Sequence, residues 1–258
     1  MRYFFVLALG RSGTQMLSGL LGLDPNARVE HEPHRYDPKI VGLRRFGQLD
    51  TVLHGLLTQR FAEVAGKRSD TSVYGETNSY LRYEAEWLRR NLDATVVHLS
   101  RDGREFVRSA YPRVVYTAAE AQLPILPCDS DPCAGRWSEM TRFEKLCWYW
   151  SHTNEMLRAT VELHVRMEDV VSDYGYFKRK LLGPLDLSVS EDSWRQFVSR
   201  PKNTSSMYRR RRWIRGWVKP EVEVHPPIGR PSSWTTEMHA QFEEICGPTM
   251  KKLGYPAE

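Results

Sequence analysis

Runs of apolar residues that lead into glycine-rich or polar turns mark the predicted strands of this chain. Tyr3–Leu9 (YFFVLAL) is a continuous apolar run, which is typical of a strand covered on both faces. Ala94–Leu99 (ATVVHL) has the same character, and Val161–Arg166 alternates apolar and polar residues as a half-buried strand does. Shorter extended segments are predicted at Ala27–Glu30 and Thr71–Gly75.

Segments with apolar residues at helical spacing separate these strands. The predicted helices cover residues 15–23, 39–66, 80–91, 138–159 and 235–253, with a further helix within SRDGREFVRSAY at residues 100–111. Residues 117–136 are rich in proline, aspartate and cysteine and are predicted to form a loop, and the basic residues 200–233 have no clear period. Strands that alternate with helices predict an α/β fold with a central parallel sheet flanked by helices.

Composition and charge narrow the class of protein. The chain has 258 residues, of which 41% are hydrophobic and 27% charged, so it is long enough for a substantial core and is neither disordered nor collagen-like. No run approaches the roughly 20 apolar residues that cross a bilayer, and the first apolar run is short for a signal peptide, so we expect a cytoplasmic protein without a membrane span. A net charge of +5 favours an anionic ligand or surface.

The four cysteines do not predict a zinc site. Cys128 and Cys133 bracket the loop CDSDPC, which could close a small disulfide or bind a metal, whereas Cys147 and Cys246 fall in helical patterns and are expected to be buried. The sequence contains no CxxC pair. We therefore expect four free thiols and no metal.

The first candidate site is the glycine turn GRSGT, which follows the first apolar run. A buried strand that enters such a turn and then a helix presents backbone N–H groups to an anion, and the helix dipole adds to the attraction. The turn offers backbone N–H groups, two hydroxyls, an amide and a guanidinium to an anion. The six candidate anion-binding residues are Gly10, Arg11, Ser12, Gly13, Thr14 and Gln15. The turn lacks the lysine of the GxxxxGK[ST] loop of nucleotide kinases, and a glycine turn without a ligand is the alternative.

A second candidate site follows the second buried run. Arg101 lies at the end of that run, and Ser109 lies eight residues later on the predicted helix. Because ligands bind at the carboxyl edge of parallel sheets, the guanidinium and the hydroxyl could together hold a phosphate. The alternative is that Arg101 pairs with Asp102 or Glu105 on a solvated surface.

Together, the two turns resemble the cofactor motifs of the sulfotransferases that use 3′-phosphoadenosine-5′-phosphosulfate (PAPS). GRSGT resembles the family's 5′-phosphosulfate loop in its bacterial, arginine-containing form, and Arg101 with Ser109 matches the 3′-phosphate motif. The segments FEKLCWYWSHTNEML, VRMEDVV and SSWTTEMHAQFEEICGPTMKKLGY resemble further parts of the family. The resemblance implies a P-loop-like three-layer sandwich and a single sulfotransferase-like domain over residues 1–258. It also implies transfer of a sulfuryl group to a hydroxyl or amine, with adenosine 3′,5′-bisphosphate (PAP) as the product.

Such a transfer needs a base, which the resemblance implies to be a carboxylate or a histidine. HEPHRYDP resembles the segment in which carboxylate-type members carry the base, so Glu32 is the first candidate. Glu76 in YGETNSYL is the second, followed by His31 and His34, and each could instead be an ordinary polar loop residue. Arg11 is expected to stabilise the leaving phosphate electrostatically, because arginine stays charged.

The segment MYRRRRWIRGWVK, residues 207–219, concentrates arginine and tryptophan. It is open to interpretation as a cofactor loop, as a site for an acidic acceptor, as a nucleic-acid surface or as a solvated surface. We favour the cofactor loop, in which Arg212, or Arg230 further along, contacts the 3′-phosphate.

The predicted function is sulfuryl transfer from PAPS to a small-molecule, glycan or lipid acceptor, and we expect no nucleic-acid partner. The sequence leaves the acceptor and the oligomeric state open. A P-loop kinase or other nucleoside-phosphate transferase is one alternative and would depend on Mg²⁺. A non-catalytic nucleic-acid-binding protein that uses the basic segment is the other.

Overall fold

The centre of the fold is a parallel sheet with the apolar strand at residues 2–8 in its middle. The computed structural model describes residues 1–44, 50–67, 71–117, 125–200 and 226–256. The strands within these residues are β1 (Arg2–Ala8), β2 (Ala27–His31), β3 (Val73–Asn78), β4 (Thr95–Ser100) and β5 (Leu163–Arg166). They pair in the order β2–β3–β1–β4–β5, and every pair is parallel.

Helices fill the connections between the strands. They are α1 (Thr14–Leu21), α2 (Asp37–Arg44), α3 (Asp50–Lys67), α4 (Ala85–Leu92), α5 (Gly103–Ala110), α6 (Arg142–Thr160), α7 (Met167–Ser172), α8 (Tyr174–Phe177), α9 (Gly183–Leu185), α10 (Glu191–Val198) and α11 (Thr236–Lys252). A π-helical segment covers Lys178–Leu182, and a 3₁₀ turn covers Pro231–Ser233. None of the described helices is long and apolar enough to cross a membrane.

The two faces of β1 lie in two different hydrophobic clusters. Phe4, Val6 and Ala8 pack with apolar residues of α1 and of α7–α10. Phe5 and Leu7 pack with apolar residues of α3, α4 and the end of α6. Helices therefore cover the sheet on both sides, which confirms the predicted α/β fold with a central parallel sheet between helical layers.

The strand order also explains which helices lie on which face. The crossover through α1 carries the chain from β1 past β3 to β2, whereas the later crossovers run across the sheet in the opposite direction. Because crossovers are right-handed, a reversal of direction places the helices on opposite faces. The crossover that leaves β1 runs opposite to the one that leaves its neighbour β4, and the carboxyl ends of two such neighbouring strands are where ligands bind in open parallel sheets.

Two sequence-based boundaries are wrong at β3 and α4. The strand predicted at Thr71–Gly75 continues through three polar residues to Asn78, and the helix predicted from residue 80 begins at Ala85. Glu76 and Asn78 are fully buried with hydrogen-bonded side chains, so these polar residues continue the strand and do not end it. The side chain of Asn78 also accepts from the N–H of Tyr80 at 3.0 Å, which stabilises a turn before the helix.

The described residues form two compact units, and the sheet lies in the one built from residues 1–101 and 154–199. The other, from residues 102–153 and the described part of 200–258, contains α5, α11 and the first turns of α6. In it, a Cβ on Gly103 would lie 3.1 Å from atoms of both Trp150 and Phe242, so helix packing there requires glycine. Cys147 and Cys246 are buried, as expected, and all four cysteines are free.

A buried ion cluster ties α2 and α3 to the sheet. The Arg60 guanidinium on α3 donates to both carboxylate oxygens of Asp37 at 2.9 and 2.8 Å and to both of Glu76 at 2.9 and 2.8 Å. Burial disfavours the charge, but the two carboxylates outweigh burial and raise the pKa of Arg60. Asn78 and Tyr74 donate to the same carboxylates. The cluster fixes the start of α2, and with it the end of the segment that carries Glu32.

Replacing Arg60 with methionine should destabilise the fold strongly. The substitution keeps an apolar stem but leaves Asp37 and Glu76 as buried, uncompensated charges, and breaking a buried pair in this way costs about 3–5 kcal/mol. Urea unfolding of the purified variant measures the loss. The matched control is Lys67→Met, because Lys67 pairs with Glu63 on the exposed side of the same helix at 3.4 Å, and such pairs contribute about 0–1 kcal/mol. Equal stability of the two variants would contradict the role given to the cluster.

Candidate functional site

The glycine turn between β1 and α1 contains two residues with positive φ, a backbone conformation that favours glycine. Gly13, the N-cap of α1, has φ +95°, and a Cβ there would lie 3.0–3.1 Å from the Met167 side chain. Arg11 has φ +78°, which is unusual for a residue with a side chain. The N–H of Ser12 closes the turn on the carbonyl of Leu9 at 3.2 Å. The turn therefore needs glycine at position 13, and Arg11 holds a strained conformation.

The start of α1 offers unbonded N–H groups. Among the described residues, the backbone N–H groups of Gly13, Thr14 and Met16 have no hydrogen-bond acceptor. The helix has no acidic residue in its first turn, and its N-cap supplies no side-chain hydrogen bond. Because the positive end of the helix dipole points here, the position suits an anion such as a phosphate or sulfate group.

Arg101, the first residue of the second motif, contacts this turn. Its side chain extends from the carboxyl end of β4, the neighbour of β1, and Nη1 donates to the carbonyl oxygen of Arg11 at 2.9 Å. Asp102 and Glu105, the alternative partners, accept from Arg104 at 2.7 Å and Arg108 at 2.6 Å, respectively. The guanidinium therefore lies against the backbone of the loop predicted to bind the 5′ group.

The other predicted phosphate ligands lie elsewhere in the chain. Ser109 is on α5, and Arg230 is an exposed residue directly before the 3₁₀ turn, both in the second unit. Arg212 lies outside the described residues. Their part in nucleotide binding stays a prediction from the sequence.

Glu32 follows β2 in a conformation held by β3. It has φ +44°, and its N–H donates to the carbonyl of Thr77 at 3.3 Å. Its Oε1 accepts from the backbone N–H of Ser79 at 3.3 Å and from the Ser79 hydroxyl. A Cβ on Gly10 would lie 3.7 Å from that same hydroxyl oxygen, so the Glu32–Ser79 pair is next to the glycine turn.

His31 connects Glu32 to the first residue of α1. Its Nε2 lies 3.0 Å from the Thr14 hydroxyl and 3.9 Å from Oε1 of Glu32. Burial lowers the pKa of His31, and the Glu32 carboxylate opposes that shift only in part. The neutral ring is therefore the favoured form near neutral pH, and it can form one hydrogen bond with the Thr14 hydroxyl.

Glu76 and His34 lie in different surroundings from Glu32. Glu76 is fully buried, and its two oxygens accept from Arg60, Tyr74 and Asn78. His34 Nδ1 lies 3.7 Å from Asp37, and its ring packs edge-on to Tyr36 at 5.5 Å. The contacts of Glu76 are those of a structural ion cluster, whereas Glu32 lies at the turn.

Sequence reasoning missed several polar residues at this edge. Ser79 contacts Glu32 across 47 positions. The rings of His98 on β4 and His164 on β5 lie 4.8 Å apart at a tilt of 40°. His98 hydrogen-bonds with Asn154 at 3.0 Å, and His164 with Ser100 at 2.9 Å. The only signal in the sequence was His98 within a buried apolar run. The pattern of one strand does not reveal which residue of the neighbouring strand lies beside it. No group of His, Cys, Asp or Glu among the described residues could hold a metal ion.

Acid should destabilise the protein through the His98–His164 pair. Burial, aided by His164, lowers the pKa of His98 to about 3, and burial with nearby Arg166 lowers that of His164 to about 4. The unfolded histidines titrate near 6.5, so below that pH the unfolded state binds more protons, and stability falls as pH drops toward 4. The slope is about 1.4 kcal/mol per pH unit for each histidine.

Urea unfolding at pH 7, 6 and 5 measures this slope. His164→Gln should reduce it, whereas His54→Gln, on an exposed position of α3, should leave it unchanged. A wild-type stability that does not change between pH 7 and pH 5 would contradict the prediction.

Comparison with known proteins gives structural matches alone. No protein-family model matches this chain, and no curated protein matches it in sequence. Mouse sulfotransferase SULT7A1 complexed with PAP aligns with 97% of this chain and 84% of its own, at 12% identity and TM-score 0.49. The sulfotransferase domain from the curacin biosynthetic pathway aligns with 100% and 99%, at 12% identity and TM-score 0.47.

Retinol dehydratase in complex with androsterone and inactive cofactor PAP aligns with 100% of this chain and 83% of its own, at 16% identity and TM-score 0.45. Two of these three structures are described as sulfotransferases, and two of the three contain PAP. At these identities and scores the matches assign neither a substrate nor a function to this chain.

Proposed function

We propose that this chain is a sulfotransferase that moves the sulfuryl group of PAPS to a hydroxyl or amine by in-line displacement. The observation that carries the proposal is the pairing of two features at the carboxyl end of β1. In the described part of the chain, the N–H groups of Gly13, Thr14 and Met16 have no acceptor, and a carboxylate, Glu32, lies beside the same turn. An anion site next to a base is what transfer of an anionic group to a hydroxyl requires.

The donor's two phosphate ends fit two sets of residues. The turn from Gly10 to Gln15 would hold the 5′-phosphosulfate through its N–H groups, with the Arg11 cation close to the group that leaves. Arg101 and Ser109 would hold the 3′-phosphate, and Arg212 and Arg230 are further candidates for that group. When bound, the donor supplies the sulfuryl group and departs as PAP.

Glu32 would take the proton of the acceptor. Among the described residues, its Oε2 has no hydrogen-bond partner, whereas Oε1 is engaged by Ser79. Oε2 would accept the proton as the acceptor oxygen bonds to sulfur and the bond from sulfur to the leaving phosphate breaks. Glu76 is less suited to this role, because its carboxylate is buried against Arg60. Arg11 would stabilise the charge on the leaving oxygen without donating a proton.

Thermal stabilisation by nucleotides tests the ligand class. A ligand at 100 times its Kd stabilises the folded state by about 2.7 kcal/mol. PAP should therefore raise the Tm by several degrees, whereas ATP with Mg²⁺ or a single-stranded oligonucleotide should not. A shift with ATP and Mg²⁺ alone would favour the kinase alternative, and a shift with the oligonucleotide alone would favour nucleic-acid binding.

Arg101→Ala should weaken binding of PAP far more than binding of 5′-AMP. The guanidinium is proposed to pair with the 3′-phosphate, which 5′-AMP lacks, and a charge-assisted hydrogen bond contributes about 1.5–3 kcal/mol. Calorimetric titration of both nucleotides measures the difference, roughly 10- to 100-fold in Kd. Arg108→Ala is the control, because Arg108 pairs with Glu105 on α5. Equal weakening of both nucleotides would contradict the assignment.

Glu32→Gln should slow sulfuryl transfer by roughly two to four orders of magnitude, the usual contribution of a positioned base. Transfer is measured with ³⁵S-labelled PAPS and a panel of a phenol, a hexose, a long-chain alcohol and a tyrosyl peptide, with release of sulfate to water as a further readout. The Kd for PAP should change little. Glu30→Gln is the matched control, because Glu30 lies two residues earlier and pairs with Arg28. Full activity of E32Q would show that another group is the base.

A further inference from the structure

We propose that Ser79 is a positioning residue that orients the Glu32 carboxylate and leaves one of its oxygens open to act as the base. This inference rests on the proposed function, in which Glu32 takes the proton of the acceptor. Ser79 directly follows β3 and is 5% exposed. It lies in the segment YGETNSYL, in which the sequence pattern pointed to Glu76 instead.

Two donors of Ser79 converge on one oxygen. Its backbone N–H lies 3.3 Å from Oε1 of Glu32, and its hydroxyl donates to the same atom. A carboxylate held by two donors from one residue has a fixed plane and direction, because small turns about its terminal bond weaken both hydrogen bonds, and a half-turn only exchanges its two equivalent oxygens. Oε1 is thereby occupied, and Oε2 is left without a partner among the described residues.

The same serine lies beside the glycine turn. The Ser79 hydroxyl lies 3.7 Å from the position that a Cβ on Gly10 would take, which is ordinary van der Waals contact. The carbonyl of Ser79 accepts from Arg82, which holds the serine from the other side. Glu32, Ser79 and the turn thus form a contiguous set at the carboxyl edge of the sheet.

The backbone of Glu32 explains why such support is needed. A glutamate with φ +44° holds a sparsely populated conformation that persists only when its surroundings enforce it. Those surroundings are the N–H bond to the carbonyl of Thr77 at 3.3 Å and the two bonds from Ser79. Loss of the Ser79 hydroxyl should therefore let the carboxylate rotate away from the reacting groups.

Ser79→Ala should lower kcat for ³⁵S transfer roughly 10- to 100-fold, the cost of a misplacement of about 1 Å. The Kd for PAP should remain within about twofold of wild type. Ser79→Cys fills nearly the same space with a weak donor and should also lose activity while it keeps the wild-type Tm. The matched control is Ser18→Ala, because Ser18 is also buried but donates to the carbonyl of Val29, and this variant should transfer at the wild-type rate.

A double-mutant cycle separates positioning from structure. If Ser79 acts through Glu32, then S79A should slow transfer in the wild type but have almost no further effect in E32Q. Equal effects of S79A in both backgrounds, or wild-type kcat in S79A and S79C, would overturn the inference while leaving the proposed function intact. Absence of transfer by the wild-type protein to every panel acceptor and to water would instead overturn the proposed function itself.

Discussion

Burial of β1 on both faces is the constraint on which the rest of this structure depends. A strand with Phe4 and Val6 on one face and Phe5 and Leu7 on the other needs a helical layer on each side. Parallel neighbours meet that need, because each crossover places a helix over the sheet. The parallel arrangement also brings the carboxyl ends of the strands to one edge, so the turn after β1 is surrounded by the ends of its neighbours.

The ends of the neighbouring strands bind this turn through their side chains. Thr77 of β3 donates from its hydroxyl to the carbonyl of Thr14 at 3.0 Å, and Arg101 donates to the carbonyl of Arg11 at 2.9 Å. His31, the last residue of β2, lies 3.0 Å from the Thr14 hydroxyl. These contacts occupy carbonyl and hydroxyl oxygens, whereas the N–H groups of Gly13, Thr14 and Met16 have no acceptor in the described part of the chain. Such an edge suits the anion site proposed above.

The local pattern of the sequence predicted most of the fold. Continuous apolar runs identified β1 and β4, and glycine turns identified where each strand ends, because both signals arise within a few residues. The end of β3 could not be found in this way. Glu76 and Asn78 look like surface residues. Their burial is favourable only because Arg60, 16 positions before Glu76, pairs with Glu76 and with Asp37, the carboxylate to which Asn78 donates.

The same limit applies to the candidate site. The glycine turn and Arg101 were predicted from motif spacing, which is local, and Glu32 was predicted from the resemblance of its segment; their roles in binding and transfer stay predictions. Ser79 and the His98–His164 pair were not found, because their roles depend on contacts between strands. Ser79 and Glu32 are 47 positions apart, and a contact between such distant residues leaves no trace in the pattern of either segment.

A crystal structure with PAP bound tests the central claim most directly. The account predicts that oxygens of the 5′-phosphate lie within hydrogen-bond distance of the N–H groups of Gly13 and Thr14, with Oε2 of Glu32 facing the open side of that phosphate. A nucleotide bound away from the turn after β1, with those N–H groups still without an acceptor, would contradict it.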